Sequence, residues 1–131
     1  MEPKPLAGKG ILVTRPAERA GDLARLIAGA GGRAYVYPAL RIAPPGDEAP
    51  ARARLAAIDR YDVAVFVSPT AVERAFALMK GVPPGMRAAA LGAATRDALA
   101  RHGVHEVLIP AEGADSEALL ALAPMADMTG K

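Results

Sequence analysis

The chain belongs to the α/β class, with strands that pair in parallel. Short apolar runs alternate with helical stretches whose apolar residues share one face, and glycines or prolines stand near the helix ends. The run Asp62-Val63-Ala64-Val65-Phe66-Val67 is almost wholly apolar, the pattern of a parallel strand covered on both faces.

Each element follows from its residues. Ile11-Leu12-Val13 reads as a short buried strand leading into Thr14-Arg15-Pro16. From Ala17 to Ala30, the residues Ala20, Leu23, Ile27 and Ala30 fall on one helical face, and Gly31-Gly32 stops the helix. Arg33 to Ile42 is strand-like, with Tyr35 and Tyr37 on one face and Val36 on the other. Pro38 within it makes an edge or a bend.

Pro44, Pro45, Gly46 and Pro50 mark a linker, and a short helix follows over Ala51–Ile58. The strand Asp62–Val67 turns at Ser68-Pro69-Thr70 into a helix that runs to Met79. Arg87–Leu91 is the next strand, Ala94–Arg101 a helix stopped by Gly103, and His105–Pro110 another strand. A last helix runs from Ser116 to Ala123 and is closed by Pro124. Such alternation implies βαβ units.

Composition excludes several classes. The 131 residues allow one ordinary α/β domain, and 52% of them are apolar, which argues against disorder. Aromatics make up 4% and Trp is absent, so the core is built from Ala, Leu, Val and Ile. The net charge is +2, and the basic residues are scattered with no run of five, so a nucleic-acid tract is not expected. There is no cysteine, hence no disulfide or thiolate chemistry. The polar stretch Met1–Gly10 is no secretory signal, and no apolar run approaches a membrane span, so a soluble cytoplasmic protein is expected.

Three strand-to-helix turns carry the candidate chemistry. At Ser68-Pro69-Thr70-Ala71, Ser68 suits an N-cap and Pro69 the first helical position; Thr70 with Glu73 also fits a capping box. Gly92-Ala93-Ala94-Thr95 is a second turn, where Gly92 permits tight turning or the close approach of a ligand. Thr14-Arg15-Pro16 is a third and adds a cation suited to carboxylates. Each alone is explained by plain capping or a solvated arginine. Together they suggest a cleft for a carboxylate- or phosphate-bearing ligand, because helix N-termini at the carboxyl ends of parallel strands collect anions.

Other motifs fail. Gly8-Lys9-Gly10 is too short for a P-loop, and Gly29–Gly32 follows a helix rather than a strand. His102 and His105 have no carboxylate or Cys placed to complete a metal site. Ser68 lacks the G-x-S-x-G elbow, and no acidic pair follows the first strand as a receiver domain requires.

The order of these motifs resembles that of the uroporphyrinogen-III synthase family. The resemblance rests on "ILVTRP" at Ile11–Pro16, "YVYPALRIAP" at Tyr35–Pro44, "YDVAVFVSPTAVERAF" at Tyr61–Phe76, "AALGAATRDALARHGV" at Ala89–Val104 and "DSEALLALA" at Asp115–Ala123, with Gly130-Lys131 similar to the start of a further strand. It implies two flavodoxin-like domains, parallel sheets flanked by helices, joined by a two-stranded linker. Residues 1–38 would open the first, incomplete domain, 39–45 form a linker strand, and 46–131 make most of the second domain. It implies closure of hydroxymethylbilane, a polycarboxylate tetrapyrrole, to uroporphyrinogen III, with inversion of the last ring and loss of water. No metal or organic cofactor, membrane or nucleic acid is implied.

By position, Ser68, Thr70, Ala71, Gly92, Ala94, Thr14 and Arg15 would bind substrate, and Thr95 matches a family threonine that faces the cleft, which makes it the expected catalytic side chain, as a positioning or weak proton-shuttling group. The family's cleft tyrosine near the return linker has no counterpart, and Tyr35, Tyr37 and Tyr61 do not replace it. The expectation is a truncated chain whose partner is the missing C-terminal half and whose own activity is weak or absent. The alternative is a non-enzymatic flavodoxin-like module for an anionic ligand or a partner chain, favoured by an unpaired apolar face on Ile11–Ile42.

Overall fold

A computed structural model describes residues 3–131; Met1 and Glu2, which open the polar N-terminal stretch, lie outside the described residues. The chain forms two compact units that divide between Gly46 and Asp47. All strand pairs are parallel, as the α/β pattern predicts.

The first unit is a single β-α-β turn. Strand β1 (Gly10–Val13) pairs in parallel with β2 (Arg33–Val36), joined by helix α1 (Ala17–Gly29). Ala20 and Ile27 of α1 pack with Val13 in a small core, and Leu6, Ile11, Leu23 and Ala34 border it. The predicted stop is realised in detail. Gly31 takes φ +86°, its N–H bonds the Ala28 carbonyl and the Gly32 N–H bonds the Ile27 carbonyl, which satisfies two orphan carbonyls at the helix end.

Three expectations in this unit change. Leu12 is 63% exposed rather than buried, because α1 covers one face of the two strands only. The second strand ends at Val36, not Ile42: the Tyr37 and Ala39 N–H groups still bond to the Val13 and Thr14 carbonyls, but Pro38 between them has no N–H to give. The segment 39–45 forms no strand.

In the second unit, helix α2 (Ala49–Ala56) and a 3₁₀ turn (Ile58–Arg60) lead into a three-stranded sheet. Its strands are β3 (Val63–Phe66), β4 (Arg87–Ala90) and β5 (Val107–Leu108), in the order β3-β4-β5. Helices α3 (Pro69–Phe76) and α4 (Ala93–Arg101) follow β3 and β4. Val72 of α3 and Ala98 and Leu99 of α4 bury one sheet face with Phe66, Ala88 and Ala90. The other face is covered by α5 (Ser116–Leu120) and α6 (Ala123–Ala126), whose Leu119 and Met125 meet Ala89. With no large aromatic at its centre, β4 is an alanine strand on which both layers sit closely.

Helix α4 ends as α1 does. Gly103 takes φ +82°, its N–H reaches the Ala100 carbonyl and the Val104 N–H reaches the Leu99 carbonyl. Val104 then packs on the cluster that holds Leu99, the apolar contact such a helix end favours.

Four further expectations are corrected. β3 is covered on both faces only in part: it is an edge strand, and Val65 is 46% exposed because α5 and α6 sit over β4 and β5. Helix α3 stops at Phe76 rather than Met79. Pro124 does not close a helix but sits in the first turn of α6, where a missing N–H costs nothing. Gly130-Lys131 forms a turn and no strand.

One surface cluster ties α3 to α4. His102, just past the end of α4, stacks on Phe76 with ring centres 4.3 Å apart, and its Nε2 lies 3.1 Å from Glu73 Oε2. The Arg101 guanidinium is 3.5 Å from Glu73 Oε1. The hydrogen bond from His102 chiefly holds the Glu73 carboxyl below its ordinary value of 4.5, and Arg101 adds to it. A depressed carboxyl contributes stability above the unfolded-state value and loses it as pH falls through the lower folded value. Glu73 is half-exposed, so solvent screens the pair and Glu73→Gln should cost about 0.2–1 kcal/mol near pH 6. That cost should shrink as pH falls below 4.5 and through the lower folded value, as read from urea melts. Leu99→Ala, at a fully buried position, should cost about 2–5 kcal/mol by the same measurement.

Candidate functional site

The register of β3 on β4 decides the geometry. Val63 pairs with Arg87 and Phe66 with Ala90, so the two strands end side by side. The turns that follow, at Ser68 and at Gly92, therefore open at the same edge of the sheet, and the N-termini of α3 and α4 stand next to one another. Helix N-termini carry partial positive charge and unpaired N–H groups, the condition for holding an anion.

The two turns differ in what they leave to a ligand. Ser68 is extended and caps α3, its Oγ accepting the Ala71 N–H at 3.1 Å, with Pro69 at the first helical position as the residues predicted. The Val72 N–H goes to the Ser68 carbonyl at 3.2 Å. Since Pro69 has no N–H, most of the donors at this end are spent within the helix. Ser68 rather than Thr70 is the N-cap of this helix, and the Glu73 carboxylate is held by His102 and Arg101.

The α4 turn is more open. Its N-cap is Gly92, which has no side chain to cap with, and the Gly92 carbonyl takes the Thr95 and Arg96 N–H groups, each at 3.1 Å. The amides of Ala93 and Ala94 meet no acceptor among the described residues. Gly92 is not needed for a tight turn: its φ of −151° suits any residue, and a Cβ there would lie in ordinary contact, 3.6 Å, with that of Ala114. What the missing side chain leaves open is the approach to those two amides.

Thr95 is buried, 4% exposed, and is the buried polar residue of this core. It sits on the first turn of α4 below Ala93 and Ala94, both exposed. Arg96, one residue on, is paired with Asp97 at 2.8 Å and half-exposed. Ala93 was not singled out from the sequence, because an amide donor has no side-chain signature; its place directly after a glycine N-cap was the available signal.

Thr14 and Arg15 belong to the other unit. Both are exposed where β1 passes into α1. No side chain caps α1, and Glu18 in its first turn supplies negative charge at that N-terminus. Among the described residues no group of three or more His, Cys, Asp or Glu side chains is placed to hold a metal ion, and no helix is long and apolar enough to cross a membrane.

The separate roles of the two turns are testable by stability alone. Ser68→Ala should lose about 1 kcal/mol, the value of an N-cap. Gly92→Ala should be neutral or stabilising by up to about 1 kcal/mol, because its backbone geometry already suits alanine. Chemical denaturation of the two variants checks both.

Comparison with known proteins identifies the family. The family model described as "Uroporphyrinogen-III synthase HemD" matches residues 21–131. A putative uroporphyrinogen-III synthase of Methanothermobacter thermautotrophicus is 35% identical over 112 residues, which cover 82% of this chain and 44% of that protein. A uroporphyrinogen-III synthase of Synechococcus elongatus is 37% identical over 73 residues, covering 56% of this chain and 28% of the relative. The chain thus spans less than half the length of the curated relatives it matches. On the extent of the family match and of the archaeal similarity, this chain belongs to the uroporphyrinogen-III synthase family.

Proposed function

We propose that this chain supplies the opening half of a cytoplasmic uroporphyrinogen-III synthase, which closes hydroxymethylbilane to uroporphyrinogen III with inversion of the last ring and loss of water. The observation that carries the reading is the open α4 turn beside the α3 turn. It presents two amide donors at the positive end of a helix, where a substrate carboxylate finds both hydrogen bonds and favourable charge.

The chemistry asked of such a site is mainly positional. A flexible polycarboxylate has many conformers, and few bring its ends together in the geometry for closure. Fixing several carboxylates at separate points removes most of that freedom before the bond forms. In this reading Gly92 leaves room, Ala93 and Ala94 donate amides, and Ser68, Thr70 and Ala71 form the neighbouring wall. The Thr95 side chain supports the turn from beneath and positions it. Thr14 and Arg15 would hold a further carboxylate, Arg15 through paired N–H groups. The reaction proceeds without a resident metal or organic cofactor.

Residues 1–38 would then open the first of two flavodoxin-like domains, 39–45 cross between them, and 46–131 form most of the second. The run β3-β4-β5 fits three consecutive neighbours of a flavodoxin-like order and leaves the outer edge of β3 at the switch point, where such sheets bind ligands. The partner of that edge, in this reading, is a strand from the C-terminal half present in the longer relatives. The exposed Leu12, Tyr35 and Tyr37 favour a second reading, a non-enzymatic module that docks a partner chain on that apolar face.

An isomer assay separates the two. Hydroxymethylbilane generated in situ is given to the chain alone and with the C-terminal half of the archaeal relative, and the oxidised uroporphyrins I and III are resolved. Isomer III is expected above the non-enzymatic background in the combined sample. It should fall at least about tenfold in Gly92→Asp, which sets a carboxylate against the amides, and in Thr95→Val. Isomer I alone from the combined sample would sink the synthase reading and leave the docking module.

A further inference from the structure

The first unit carries a feature that the proposed reaction does not use. At the amino-terminal ends of β1 and β2, away from the strand ends that open into α1, lies a groove of about 490 Å³. Gly8, Gly10, Gly31 and Gly32 line it together with Lys9, Arg33 and Tyr35, and the Lys4 side chain packs against Gly31. This volume lies within the range of small-molecule sites.

Its charge is all of one sign. The Arg33 N–H bonds the Lys9 carbonyl at 2.8 Å, so the backbone fixes these two residues on neighbouring strands. Neither forms an ion pair with a described residue. Like charges held side by side across strands repel and lower stability unless an anion lies between them. Residues 1–46 hold seven Lys and Arg against three Asp and Glu, net +4, whereas residues 47–131 hold nine against eleven, net −2. The field of the first unit therefore attracts anions that the second repels.

The glycines and the ring add shape. The Tyr35 ring lies against Gly10, where an added Cβ would be 3.1 Å from it, and the residue is half-exposed. Gly8 takes φ +73°, and a Cβ there would meet nothing within 4 Å, so an unsubstituted backbone faces open space beside Lys9. A bare backbone, two cations and one face of a phenol together suit an oxyanion joined to a flat ring, by charge-assisted hydrogen bonds at one end and stacking at the other.

We propose that this groove is a binding site for an organic phosphate bearing a planar ring, of the nucleoside monophosphate class, with the phosphate between Lys9 and Arg33 and the ring on Tyr35. Helix α1 ends here, and the two cations also complement its negative end. The experiment distinguishes the two roles.

The 131-residue chain is titrated by NMR and calorimetry with adenosine monophosphate, with inorganic phosphate and with adenosine. The proposal expects saturable binding of the monophosphate with Kd of about 1 mM or tighter, and weaker binding of either fragment. Arg33→Gln and Lys9→Gln should each weaken it about tenfold and Tyr35→Leu about threefold, while Arg41→Gln, an equal change in net charge elsewhere in the unit, leaves it intact. Circular dichroism checks that each variant folds. Absence of saturation at about 5 mM, equal binding of inorganic phosphate, or equal losses in Arg41→Gln would overturn the proposal and leave the cations as partners of the helix end.

Discussion

The parallel pairing of β3 with β4 is the constraint on which the rest of the second unit depends. Four paired residues on each strand bring the chain out at one edge twice, and each exit passes directly into a helix. Because both connections start from the same level, the positive ends of α3 and α4 lie together without any side chain being placed for the purpose. The alanines of β4 allow this. Ala88 and Ala90 on one face and Ala89 on the other take little room, so α3 and α4 on one side and α5 and α6 on the other approach the sheet closely. A larger side chain at any of the three would push a helix out and move the turn it begins.

The remaining interactions hold those helices in register rather than build the site. Phe76, His102, Glu73 and Arg101 clasp α3 to α4 on the surface, near the ends of the helices opposite the turns. Leu99 and Val72 do the same from within, fully buried against Phe66. Burial of this kind outweighs the half-exposed ion pairs severalfold in free energy, so the clasp adjusts an angle that the core has already set. Division of labour continues at the turns: the Ser68 hydroxyl accepts an amide of α3, whereas Gly92 leaves the Ala93 and Ala94 amides of α4 open.

The uneven covering of both sheets belongs with the family relationship. In the first unit α1 covers one face of β1 and β2, leaving Leu12 and Tyr35 exposed; in the second, β3 has an open outer edge and Val65 in solvent. Parallel strands ordinarily lie between two helical layers, because their backbones need partners on both edges and their side chains on both faces. The relatives are more than twice as long as the stretch they share with this chain, so they contain further segments that this chain is not matched to.

The sequence by itself determined the class, the order of the main helices and the chemistry at the start of α3 and the ends of α1 and α4. Ala20 and Ile27 at helical spacing, the glycines after α1 and α4, and Ser68-Pro69 at the start of α3 each act through nearest neighbours along the chain, and such local preferences survive folding unchanged. The tertiary structure alone decided what depends on partners. The strand expected over Arg33–Ile42 stops at Val36, and the two-residue β5 is what remains of His105–Pro110. Leu12 and Val65 lie open although their strands read as buried, because an apolar residue specifies that it prefers cover and not whether a covering element exists. The candidate site divides the same way. Its residues Ser68, Gly92 and Thr95 were legible as turn chemistry, but the proximity of their two turns comes from strand register. That Ala93 and Ala94 keep open amides while Ala71 does not comes from which hydrogen bonds closed elsewhere.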